Sequence, residues 1–284
     1  MSNFVQQQSV ECRFESSDSW VILSPIEQSI KRKIESIGTP LKDWDIQINY
    51  GIKTGFNDAF IISTEKRNEI LDNCSSEEER TKTAELIRPI LRGRDIKRYG
   101  YNWADLWLIA TFPSRHYDIE MYPAVKAHLL SFGKERLEQT GKKYIINGEE
   151  IKARKKTNNK WFETQDSISY WDDFLHPRII YREIGTEMDA CMVEKGWMIN
   201  NKLYMISGKN LSHLLNFFNS KLFNRIILSS TNLTGGKGVD FMEKIIAPLP
   251  EQCDLSSADD NSTPTRLYRL YNLTSNEIEF IENQ

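Results

Sequence analysis

Residues 176–207 read HPRIIYREIGTEMDACMVEKGWMINNKLYMIS. Three β-rich runs stand out in them, 178–183, 189–193 and 202–206, separated by Gly185 and Gly196. Branched and aromatic side chains in short runs broken by glycine predict an antiparallel meander. Working outward, the alternation in DIQIN, a 51–58 turn and then AFII predict strand, tight loop, strand over 44–63, and 106–110 reads as a buried strand. Helical stretches interrupt these strands. Ser24-Pro25-Ile26-Glu27 is a capping box with proline at the first helical position, and Ile26, Ile30, Ile34 and Ile37 follow at helical spacing until Gly38. Further helices are expected over 64–73, 77–87, 122–139, 211–228 with a break at Asn219-Ser220, 263–272 and 275–281. Strand runs and helix runs without regular βαβ alternation predict an α+β fold, with mixed, largely antiparallel sheets and flanking helices.

The 284 residues are 39% hydrophobic, 27% charged and 11% aromatic, the balance of a folded globular chain. Residues 1–19 are polar and Gln-rich and read as a linker or an expression-derived start, 20–250 as the main domain and 251–284 as a C-terminal helical tail. No apolar run approaches the roughly 20 residues needed to cross a bilayer, and the polar start is no secretory signal. Cys12, Cys74, Cys191 and Cys253 are scattered, which suggests neither a zinc site nor a disulfide framework and fits a reducing cytoplasm.

A net charge of −3 argues against a free-standing DNA-binding protein, because phosphate neutralisation needs clustered cations. The distribution says otherwise. Lys142, Lys143, Lys152, Arg154, Lys155, Lys156 and Lys160 face only Glu149 and Glu150 within 141–160, so one side of the molecule is free to meet a polyanion.

Enzymatic signatures are missing. Gly51-Ile52-Lys53-Thr54-Gly55 lacks the glycine count and following helix of a nucleotide or methyl-donor turn, and residues 234–238 lack P-loop spacing. The chain has no Pro-Pro pair, so the Asn-Pro-Pro-aromatic tetrapeptide that holds a flipped adenine is absent. His116, His128, His176 and His213 have no metal or triad spacing and read as surface or packing histidines; Asp172-Asp173 reads as a solvated helix start. No catalytic residue, metal ligand or cofactor is assigned. The 51–60 segment, GIKTGFNDAF, projects Lys53, Thr54 and Asn57 from a glycine-framed loop, as a phosphate or base contact or as a plain hairpin turn. Arg92, Arg94, Lys97 and Arg98 surround Gly93, either gripping a backbone or lining a solvated loop.

Eight blocks decide between these readings. GIKTGFNDAFII, LIRPILRGRDIKRY, LWLIATFP, YPAVKAHLLSFGKERLEQ, Trp161-Phe162-Glu163, HPRIIYREI, NNKLYMISG and LLNFFNSKLFNRII occur in the order seen in the TaqI-like C-terminal specificity domain, and the sequence resembles that family from about Trp20 to Pro250. The resemblance implies the target recognition domain of a bacterial type IIG or IIS restriction-modification enzyme. It also implies an amino-terminal adenine-N6 methyltransferase in the same parent protein, often preceded by a nuclease. S-adenosylmethionine, and Mg where a nuclease is present, would belong to that catalytic part, which is absent from this chain. The partners implied are double-stranded DNA and the methyltransferase domain, which receives the flipped adenine; no membrane is involved.

The resemblance makes Lys53, Thr54, Arg92, Arg94, Lys97 and Arg98 the expected DNA contacts, and Asn57 joins them through the bidentate amide it offers in the 51–60 loop. Lys152, Arg154, Lys155, Lys156 and Lys160 lie in a stretch without a matching block, where sequence-reading residues are expected to fall, and Arg182, Asn201 and Lys202 flank strands from which they could project. Two alternatives stand beside this reading: a free-standing DNA-binding regulator, and a protein-interaction module docking through a helix over 211–228.

Overall fold

The computed structural model describes residues 23–183, 187–227, 246–247 and 263–283. The expected 1–19 linker, the 234–238 loop, Cys12, Cys253 and Gly185 lie outside them.

Helix α1 (Pro25–Ile37) starts on the capping box read from the sequence: Ser24 N donates to Glu27 Oε2 at 2.7 Å and Glu27 N to Ser24 Oγ at 3.4 Å. Strands β1 (Thr39–Pro40) and β2 (Ile46–Tyr50) follow. The chain then crosses a loop into the single helical turn α2 (Asn57–Phe60) before β3 (Ile61–Ser63). The 44–63 expectation is therefore corrected in two ways. Ala59 and Phe60 are helical, and β2 and β3 join different sheets instead of facing each other across a hairpin. Helices α3 (Thr64–Asp72) and α4 (Glu77–Leu86) match expectation, each capped by a serine hydroxyl, Ser63 and Ser76.

Next come β4 (Ile87–Leu91), β5 (Ile96–Lys97), β6 (Gly100–Tyr101) and β7 (Leu106–Ile109). The helix expected over 122–139 is two short ones, α5 (Pro123–Leu130) and α6 (Lys134–Leu137), because Gly133 turns at φ 86° between them. A ribbon of β8 (Lys143–Ile146) and β9 (Glu149–Lys152) is followed by β10 (Arg178–Arg182), β11 (Ala190–Val193), β12 (Met198–Ile199) and β13 (Leu203–Gly208). Helix α7 (Leu211–Phe218), strand β14 (Ile246–Ala247) and helices α8 (Thr263–Leu270) and α9 (Ser275–Asn283) complete the described elements.

Two four-stranded sheets organise the molecule, in the orders β12-β4-β7-β3 and β11-β10-β13-β2. All pairings within them are antiparallel except β12 with β4. This is the α+β architecture expected, although the run 178–206 is not a simple meander. Its β12 leaves for the other sheet, and β10 sits between β11 and β13.

The β11-β10-β13-β2 sheet separates two cores, and its side chains alternate between them with the period of two that a pleated strand imposes. Ile180, Cys191, Leu203 and Met205 face a first core with Phe60, Ile90, Leu108 and Val125. Ile179, Tyr181, Ala190, Tyr204 and Ile206 face a second with Ile30, Ile34, Leu214, Phe217, Phe218, Leu267 and Tyr271. Helix α7 buries Leu214, Phe217 and Phe218 there, so the docking-helix alternative is corrected: its apolar face is already covered. The terminal helices are joined by a buried carboxylate. Glu277 accepts from Ser29 Oγ at 2.8 Å and Lys33 Nζ at 2.6 Å. Burial opposes its ionisation, but hydrogen bonds from Lys33, Thr274 and Ser29 outweigh that and hold its pKa at about 2.

Candidate nucleic-acid interface

Three of the basic segments singled out in the sequence meet in one concavity of about 500 Å³, lined by Gly93, Arg94, Lys97, Arg182, Glu183 and Lys202. Local geometry explains the meeting. Gly93–Asp95 is a 3-10 turn stapled by Asp95, whose carboxylate accepts from Arg92 N at 2.8 Å and takes a two-point contact from the Arg92 guanidinium at 3.1 and 2.9 Å. With Arg92 folded back onto Asp95, the exposed side chains of the loop are Arg94, Lys97 and Arg98. Arg98 lies 5.4 Å from the Tyr99 ring, at the turn between β5 and β6. Arg182, at the end of β10, donates to the carbonyls of Gly93 and Ile96 and pairs with Asp189 at 3.2 Å, which locks the loop against the central sheet. Lys202 pairs with Glu183 at 3.2 Å. Among the described residues Arg94 and Lys97 enter no ion pair, so the concavity keeps a positive excess.

A second basic patch adjoins the first through the backbone. Gly51 lies so close to Asn200 that a Cβ there would stand 2.0 Å from the Asn200 carbonyl oxygen, and only glycine fits. This approach lets Ile52 N donate to Ile199 O and Asn201 N to Ile52 O, so the half-buried Asn201 next to Lys202 is tied by its backbone to the residue before Lys53. Lys53 is exposed; its amide donates to Asp166 Oδ2 at 3.2 Å, and its carbonyl accepts from the amides of Gln165 and Asp166. Burial raises the Asp166 pKa, opposed by the Lys53 amide and by the charges of Lys53 and Lys155. Lys53 and Lys155 therefore act on one carboxylate although about a hundred residues separate them in the chain.

Other expected contacts have different jobs. Thr54 is only 1% exposed; its hydroxyl donates to Asn57 Oδ1 at 2.7 Å and accepts from Phe56 N, shaping the loop from inside. Arg154 is corrected most fully. At 4% exposure its guanidinium donates to the carbonyls of Leu137 at 2.7 Å, Thr54 at 2.8 Å, Glu163 at 2.8 Å and Trp161 at 2.7 Å, and sits over the Phe60 ring. Burial lowers its pKa to about 10, with Glu163 opposing. Four of its five N–H donors are spent on these carbonyls, which commits the side chain to the fold. Arg92 and Arg182 are likewise committed to the fold, and Tyr181, beside Arg182, is buried against Tyr204 at 5.6 Å between ring centroids. Asn57, Lys152, Lys155, Lys156 and Lys160 are exposed, with Lys160 Nζ 5.5 Å from the Phe162 ring. The histidine reading fits at His128, which packs between Ala59 O, 3.0 Å from Nε2, and the Phe132 ring.

Residues 88–250, more than half of the chain, match the sequence model of the TaqI-like C-terminal specificity domain. The chain belongs to this family. The match takes in the 92–98 loop, the 152–160 segment, Arg182 and Lys202, so both basic surfaces fall largely inside it. Among solved structures, the type IIL restriction-modification enzyme MmeI, solved in complex with DNA, aligns over 87% of this chain and 34% of its own at 14% identity and a TM-score of 0.45. The type IIG restriction endonuclease BpuSI aligns over 88% of this chain and 28% of its own at 12% identity and a TM-score of 0.47. This chain spans about a third of the length of these enzymes or less. No curated protein matches the sequence.

What sequence reasoning passed over is the β8–β9 ribbon. Its signal was present in Asn147-Gly148, the dipeptide favoured in two-residue hairpin turns, between YII and EEIK.

Proposed function

We propose that this chain is the DNA target recognition domain of a bacterial type IIG or IIS restriction-modification enzyme, working beside an adenine-N6 methyltransferase domain of the same parent protein. The observation that carries the reading is the concavity in which Arg94, Lys97 and Lys202 converge from separate segments of a specificity-domain fold. Cations there neutralise phosphates and fix register on the duplex, while sequence is read by other groups at base edges. Arg94, Lys97, Arg98 and Lys202 form one phosphate-facing group, and Lys53, Lys155, Lys156 and Lys160 a second. Arg92, Arg154 and Arg182 hold the loops that present them. A DNA target and the free Cys74 and Cys191 among the described residues support work in the cytoplasm.

The experiment is a titration of duplex DNA with the purified 284-residue chain across salt concentrations, beside an assay of labelled methyl transfer from S-adenosylmethionine. Expected are binding in the range of about 10⁻⁴ to 10⁻⁶ M at physiological salt and no transfer. Methyl transfer by the chain would reveal a catalytic site and end the reading. Nanomolar, sequence-specific binding by the chain alone would favour a free-standing regulator.

A further inference from the structure

The β8–β9 ribbon stands apart from both four-stranded sheets. Among the described residues its strands pair only with each other, in the register Lys143↔Lys152, Tyr144↔Ile151, Ile145↔Glu150 and Ile146↔Glu149. Asn147 and Gly148 at φ 51° and 86° close it in the tight two-residue turn whose twist suits a hairpin. Opposed residues share a face, and the two faces differ. Tyr144, Ile146 and Ile151 are half-buried, and Tyr144 donates its hydroxyl to Glu138 Oε2 at 3.0 Å. The other face holds Lys143, Ile145, Glu150 and Lys152, all exposed, with Ile145 at 81%. Lys143 and Glu150 pair across it at 2.8 Å.

The root of the ribbon is firm. Ala153 N donates to Lys142 O, Gly141 N to Arg154 O and Arg154 N to Glu138 O, so the base of the hairpin is tied to the residue whose side chain pins four carbonyls. Ile145 is thus held almost wholly in water on a fixed two-stranded ribbon, with Lys143 and Lys152 on the same face. A two-stranded ribbon is one of the two elements the major groove of B-DNA admits. Within that groove an apolar side chain meets the thymine 5-methyl and a carboxylate accepts from the cytosine N4 amino group.

We infer that the exposed face of the β8–β9 ribbon enters the DNA major groove, where the solvent-exposed Lys143–Glu150 pair opens so that Lys143 joins Lys152 toward the phosphates and Glu150 accepts from a cytosine amino group, with Ile145 against a thymine methyl. The inference rests on the DNA-recognition reading and adds to it the element that reads sequence.

The test is selection of bound sequences from random duplexes by the full 284-residue chain at low salt, for the natural protein, Ile145→Ser and Glu150→Gln. Both positions are exposed and the variants should fold. Expected is one enriched sequence for the natural protein, loss of preference at one thymine in Ile145→Ser and at one cytosine in Glu150→Gln, and an unchanged salt dependence for Ile145→Ser. Uracil in place of that thymine should weaken binding by the natural protein about fourfold, the value of one buried methyl-sized group, and leave Ile145→Ser indifferent. Binding without any enriched sequence, or enrichment of the same sequence by all three proteins, overturns the ribbon as reader and leaves the DNA reading standing. So does a change in self-association of Ile145→Ser with its sequence preference intact. No duplex binding even at low salt removes the DNA reading and the ribbon proposal with it.

Discussion

In the 92–98 loop and in the 152–160 segment alike, one arginine is drawn into the fold while its basic neighbours face solvent, but the two arginines are held by different partners. Arg92 is held by a carboxylate, Asp95, so its charge is matched within the loop. Arg154 is held by four backbone carbonyls, and its one charge organises residues 54, 137, 161 and 163 at once. The carbonyls are neutral, and the nearby Glu163 carboxylate engages the Lys160 amide instead. A carboxylate clip shapes one turn; a guanidinium serving four carbonyls fastens separate loops together. In both regions the arginine a sequence-based reading would assign to DNA is the one that makes presentation of the others possible.

The largest effect should come from Arg154. Its replacement by alanine leaves several buried carbonyls without donors and should cost about 3 to 5 kcal/mol in denaturant unfolding. Arg154→Lys keeps the charge but not the planar fork, and should lie between natural protein and alanine variant. Equal stability of all three would break the distinction drawn here. Arg92→Ala should cost less, about 1 to 2 kcal/mol, because Asp95 keeps the backbone amide of residue 92. The smallest change in stability, within about 0.5 kcal/mol, belongs to the double variants Arg94→Ala with Lys97→Ala and Lys155→Ala with Lys156→Ala. Their effect should appear in DNA titrations, as a loss of up to about two phosphate contacts from the salt slope. A changed preferred sequence in the second pair, with the slope preserved, would make 152–160 a reading segment; a changed slope with the sequence preserved makes it a phosphate patch.

The capped and periodic elements were legible because their signals are local. The Ser24–Glu27 box, the serine caps of α3 and α4 and the β-rich runs of 178–206 all carry their structure within a few residues. Pairing across distance was not legible. Nothing within 44–63 says that β2 and β3 belong to different sheets, because that is settled by β13 and β7, which they meet. The site divides along the same line. Arg94, Lys97, Arg182 and Lys202 could each be named from the sequence, and their convergence follows from the β10 and β13 pairing and the anchoring of Arg182 on the 93–96 backbone. Thr54 and Arg154 were misassigned because a hydroxyl or guanidinium bonded inward reads like one bonded outward until its partners are in place.

The shared central sheet has a consequence for how the chain is made. Every buried residue of the first core falls between Ile52 and Met205, whereas the second needs Ile30 and Ile34 to meet Leu267, Tyr271 and Ile281. Synthesis proceeds from the amino terminus, so the first core has all its residues well before the second does. The gap is roughly 75 residues, or about 4 to 15 s at ordinary elongation rates. During that interval the face of Ile179, Tyr181, Tyr204 and Ile206 can meet α1 and α7 but not Leu267, Tyr271 or Ile281, and Lys33 of α1 has not yet met Glu277. The nascent chain thus passes through a stage in which the basic concavity can be complete while the second core behind the sheet is unfinished. Closure of α9 over α1 through Glu277 therefore comes after every contact of the first core.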